Sequence, residues 1–192
     1  MSHKKKENNK AIIPVIIKRV PTSNGFTDDI LFSMADVIQN KKLIAIKDDI
    51  MKEYNSLIKK IKKLLRNDKP SKAPRKNIWD VGDLILMTRE NIRNRYGIDI
   101  TNLIEAVAVN LGLSKSSVRY IVKFRQITAK EKIIENISWS NYMEAINFIN
   151  KGDFEKCILL INKGKLRTTK EIRNYVRQKN KEWKKRTNVS KK

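Results

Sequence analysis

Residues 104–123, IEAVAVNLGLSKSSVRYIVK, constrain the fold more than any other stretch. Ile104, Val107, Ala108 and Leu111 recur at helical spacing, and Gly112 then interrupts the run. Ser114 offers an N-cap oxygen, and a second apolar series follows at Val118, Ile121 and Val122. Two short helices that meet at a steep angle need a small residue where they cross and a turn residue that tolerates positive φ. Ala108 and Gly112 stand where those needs fall. The spacing predicts a helix-turn-helix with Ala108, Gly112, Val118 and Ile121 as its scaffold.

This pattern resembles the twenty-residue frame of bacterial and phage helix-turn-helix proteins. In that frame the second helix, about residues 115–125, presents Lys115, Ser116, Arg119, Tyr120 and Lys123 outward. Arg can fork onto guanine, Ser is a short adaptable donor or acceptor, and Lys neutralises phosphate. With Ser117 and Arg125 beside them, these are the candidate DNA-contacting residues. A plain helical hairpin with a solvated basic face is the competing reading.

Charge weighs against that hairpin. The 192 residues carry 43 Lys plus Arg against 20 Asp plus Glu, a formal net charge of +23. Such a surplus predicts an anionic polymer as partner, with duplex DNA first and an anionic membrane surface second. No apolar run approaches the roughly 20 residues that span a bilayer. The run at Ala11–Ile17 contains Pro14 and is followed by no small-residue cleavage site, so no signal peptide is expected. The expected location is cytoplasmic, in association with the nucleoid. Cys157 and His3 are the only residues of their kinds. One chain therefore supplies no disulfide framework, zinc site, Cys–His dyad or Ser–His triad. No cofactor, metal or catalytic residue is expected, and Cys157 reads as a small buried hydrophobe.

Along the chain, residues 1–10 read as a basic arm and 11–66 as an N-terminal region, joined through a 67–77 linker to a DNA-binding domain over 78–178. A basic tail follows at 179–192. Within the N-terminal region, Ala11–Val20 reads as a strand that Pro14 demotes to an edge, and Asp28–Gln39 as an amphipathic helix. Ile46–Arg66 reads as a longer helix. Its stripe of Leu43, Ile50, Tyr54, Leu57, Ile61 and Leu64 is either packed on its own domain or the seam of a homodimer. Further helices are expected at Ile78–Arg95, Ala129–Glu135, Ser140–Asn150 and Phe154–Asn162. Thr168 and Glu171 read as the capping box of a last helix. With no hairpin evident, the class predicted is all-α, with at most one short N-terminal strand.

The landmarks Trp79-Asp-Val-Gly82, Tyr96-Gly97, LGLSKSSVRYIVKFRQ, Ile137-Ser-Trp-Ser-Asn-Tyr142 and LRTTKEIRNYV follow one another over about half the chain. Their order resembles the N-terminal helix-turn-helix domain of the YhcG family, which implies a helical DNA-binding domain. YhcG-type proteins continue into a PD-(D/E)xK nuclease domain. Here Glu182-Trp183-Lys184 has the E-x-K form without the clustered carboxylates that would hold Mg²⁺, so the resemblance implies binding and not cleavage. The same stretch is similar to the helix-turn-helix core of ParB/KorB-type partition proteins, without their arginine-rich nucleotide motif.

Trp79, Trp139 and Phe148 read as core anchors, whereas Trp183 among lysines reads either as a duplex contact or as a helix cap. Three functions are carried forward. One is a sequence-selective DNA binder acting in transcription regulation, or as a partition or replication factor of a mobile element. The others are a nucleoid protein coating DNA without preference and a targeting subunit that recruits a separate nuclease or other protein partner. RNA binding is a fourth, less supported reading, because neither an RNP-type aromatic sheet nor a KH loop is evident.

Overall fold

The computed structural model of the protein describes residues 12–23, 25–33, 42–66 and 68–189. Among them, strands β1 (Ile13–Thr22) and β2 (Gly25–Leu31) come first. Helices α1 (Lys42–Leu65) and α2 (Arg75–Tyr96) follow, then strand β3 (Ile98–Ile100). The chain continues through α3 (Leu103–Leu111), α4 (Lys115–Ile127), one 3-10 turn (Lys130–Lys132), α5 (Trp139–Ala145), α6 (Lys151–Asn162) and α7 (Thr169–Val189).

The molecule is mostly helical rather than all-α, because its strands join in one sheet of order β2-β1-β3. β1 runs antiparallel to β2, with Ile17 opposite Ile30, and parallel to β3, with Val15 opposite Ile100. The expected strand near the N-terminus is therefore present, but as the middle strand. Pro14 is accommodated because the pairing with β2 begins only at Ile16, so among the described residues Pro14 has β3 beside it and no second strand neighbour. The helix expected from Asp28 is corrected over Asp28–Leu31, which lie in β2; its remainder from Met34 to Gln39 lies outside the described residues. Ile30 is buried opposite Ile17, an alternation that a helical reading of the same apolar residues obscures.

Asn102 ties this sheet to the helices. Its Nδ2 donates to the Ile17 carbonyl (2.7 Å), and its Oδ1 accepts from the Ile17 amide (2.8 Å). The side-chain amide thus carries the pairing with β1 on from Val15 to Ile17 just before α3 begins.

One buried cluster runs from Val15 to Val176 and includes the α1 stripe. Leu43, Ile50, Tyr54, Leu57 and Ile61 are all within it, so that stripe faces the chain's own core rather than an open seam. The stretch expected as a linker lies against the same core. Ala73 is buried, and α2 already begins at Arg75, whose guanidinium donates to the carbonyls of Ala73 (2.7 Å) and Ile137 (3.0 Å). The Glu135 carboxylate accepts from the first amides of α2, at Arg75 (2.7 Å) and Lys76 (3.0 Å), capping that helix from a distant segment.

The helix expected over Ala129–Glu135 is reduced to the single 3-10 turn at Lys130–Lys132. Beyond it, the Ile134 amide donates to the Tyr142 hydroxyl (2.9 Å), which in turn donates to the Ile134 carbonyl (3.3 Å). Both polar groups of Ile134 are thereby committed outside a helix. The capping box of α7 forms as expected: the Glu171 amide donates to Thr168 Oγ1 (3.2 Å), and Glu171 Oε2 accepts from the Thr168 amide (3.2 Å). Trp139, Phe148 and Cys157 are buried, and burial pushes the Cys157 thiol up to about 12. Among the described residues no helix is long and apolar enough to cross a membrane.

Candidate nucleic-acid interface

The turn between α3 and α4 follows from Gly112. Its φ of +61° lets the chain reverse, so that the Leu113 amide reaches the Ala108 carbonyl (2.9 Å) and the Gly112 amide reaches that of Val109 (3.2 Å). This is a Schellman closure, and a side chain bearing Cβ would strain it. Ser114 then starts α4, its Oγ accepting from the Ser117 amide (3.1 Å). Ala108, Val118 and Ile121 are buried, so the scaffold positions lie where α3 and α4 meet the core.

α2 forms the platform behind α4. Gly82 lets the two backbones touch, and Trp79 Nε1 donates to the Thr128 carbonyl at the end of α4 (2.8 Å). Phe124 packs between Trp139 and Tyr142, with ring centroids 5.4 and 4.8 Å away. Trp79, Gly82 and Trp139 are thus among the residues that hold α4 from behind.

The candidate contact residues separate into two groups. Lys115, Ser116, Arg119 and Lys123 are exposed along α4. Lys115 pairs with Glu105 of α3, while Arg119 and Lys123 have no hydrogen-bond or ion-pair partner among the described residues. The other three are engaged. The Ser117 hydroxyl lies 2.8 Å from Ser114 Oγ within the cap. Tyr120 is half-buried against the core rather than turned outward. Arg125 donates to Asp83 (2.6 Å), and its guanidinium carbon lies 4.9 Å from the Trp79 ring centroid. Arg125 therefore helps to position the helix from its inner side.

The structure also brings in residues that the sequence reading passed over. Arg89 of α2 and Gln126 of α4 line one cleft with Lys115, Arg119 and Lys123. Arg89 makes a two-pronged pair with Asp99 (2.8 and 3.0 Å), which fixes its head and holds the Asp99 carboxyl below the usual carboxylate range. Arg89 and Arg93 recur four apart on α2, a spacing that signals one basic helix face. Glu105 is signalled by nothing comparable, since its pairing with Lys115 depends on the turn.

Further cations lie outside this region. Lys59, Lys60, Lys62 and Lys63 are exposed on α1, as are Lys170, Arg173 and Arg177 on α7. Trp183 is half-buried and shares a polar cleft with Lys156, Lys179 and Asp153. Compared with models of protein families, with curated proteins and with solved structures, the chain matches none of them.

Proposed function

We propose that the protein binds duplex DNA through the helix-turn-helix, with α4 as the helix that enters the major groove. The observation that carries this reading is the pairing of a buried α4 inner face with an outer face of Ser116, Arg119 and Lys123 that the described chain leaves uncovered. An unpartnered Arg can fork onto guanine, and Lys123 and Lys115 suit phosphate. The net charge of +23 supports the same partner through counterion release. A role in transcription regulation, or in partition or replication of a mobile element, fits a protein that reads sequence in this way.

The exposed cations of α1 and α7 favour a second reading, in which the protein coats DNA with little sequence preference. Fluorescence anisotropy with a labelled duplex tests the proposal across a salt series and against unrelated competitor duplex. Binding that weakens steeply with salt and loses about 1–3 kcal/mol in Arg119→Ala is the expected result. Equal binding of parent and Arg119→Ala to every duplex would remove α4 as a reader and leave the coating function.

A further inference from the structure

Beside α4 lies a cleft of about 460 Å³, bounded by α2 and the start of α3. Its volume falls within the range of small-ligand sites. Ile85 and Leu103 form a buried apolar floor, with Leu86 and Ile104 half-buried at the sides. The lip is cationic. Lys115 is already paired with Glu105, and Arg89 with Asp99, but Arg119 and Lys123 have no partner among the described residues. Two uncommitted cations therefore border an apolar floor in one cleft.

We infer that this cleft binds a small amphiphilic anion, an apolar body of roughly naphthalene size carrying a phosphate or carboxylate head, and that the bound anion excludes duplex DNA. The apolar body leaves water against the half-buried Leu86 and Ile104, and the planar Arg119 guanidinium matches a phosphate or carboxylate head. Arg119 and Lys123 are also the side chains proposed to meet DNA, so ligand and duplex compete for them, and each weakens the other's binding equally. The exclusion rests on the DNA-binding reading; the ligand site does not.

The test titrates the full chain with 1-naphthyl phosphate, followed by backbone-amide NMR, with 1-naphthol and inorganic phosphate as controls. Shifts centred on Leu86, Ile104, Arg119 and Lys123 are expected, with naphthyl phosphate binding more tightly than either control. Gln126→Glu, which places a carboxylate at the exposed lip, should weaken it about tenfold by charge repulsion, with thermal unfolding unchanged. Saturating naphthyl phosphate should release a labelled duplex. A separate groove is lined by Tyr142, Phe154 and Ile158; shifts centred there instead, or equal binding of 1-naphthol, would overturn the site. Inorganic phosphate matching naphthyl phosphate would overturn the amphiphile in favour of a simple phosphate contact. Duplex retained at saturation would overturn the exclusion alone. Cleft shifts in a protein that binds no duplex would sustain the ligand site while the DNA reading fails.

Discussion

A Cβ on Gly82 would lie 2.7 Å from the Ile121 carbonyl oxygen and 2.8 Å from Arg125 Cβ. Helix propensity alone favours alanine over glycine by about 1 kcal/mol. The contact reverses that sign, because a backbone oxygen cannot yield unless α4 moves with it. Gly82→Ala should therefore lose about 1–3 kcal/mol in urea unfolding, and its duplex affinity should fall as α4 is displaced. Unchanged or increased stability would show that the two helices separate at little cost.

Arg119 and Arg125 lie on one helix but should answer differently. Arg125→Ala removes the Asp83 pair and the Trp79 contact, and should cost about 1 kcal/mol of stability given its part exposure. Arg119→Ala should leave unfolding unchanged and weaken duplex binding. Denaturant midpoints of the two variants, measured beside their affinities, separate positioning from contact.

Stability should decline in acid. The Asp99 carboxyl is held down by hydrogen bonds from Arg89, and Glu171 by the backbone amides of Arg167 and Thr168. Both folded values lie below the unfolded ones, so the unfolded chain takes up protons first as pH falls. Their contribution is present above the ordinary carboxylate range and is lost on descending below about pH 4. Urea midpoints followed against pH should show this fall, and Asp99→Asn or Glu171→Gln should flatten it.

Cys157 should resist alkylation in the folded protein. It is fully buried, and its thiol is pushed up to about 12 by desolvation, so little thiolate forms at neutral pH and reagents reach it only through opening. Iodoacetamide labelling should accelerate sharply across the urea transition. Fast labelling in buffer would contradict the placement of α6 in the core.

Local signals carried far into the fold. Gly112 and Ser114 mark the turn before α4, Thr168 and Glu171 mark the start of α7, and all four do in the structure what their chemistry predicts. Pairings between distant residues were not legible. Nothing near Asn102 announces Ile17, and nothing near Arg75 announces Glu135. The hairpin had a usable cue in Asn24-Gly25 between two runs rich in apolar residues, but the apolar spacing after Asp28 also fits a helix. Arg125 shows the remaining gap: helical periodicity gives an angle, while the width of the buried face depends on Trp79, Asp83 and Gly82 of another helix.

The most direct measurement is selection of bound duplexes from a random DNA pool at about physiological salt, with Arg119→Ala beside the parent. An enriched motif that the substitution blurs at one position is expected, with overall affinity reduced by about 1–3 kcal/mol. Strong binding of the whole pool with no enrichment, unchanged by Arg119→Ala, would contradict α4 as the reading helix.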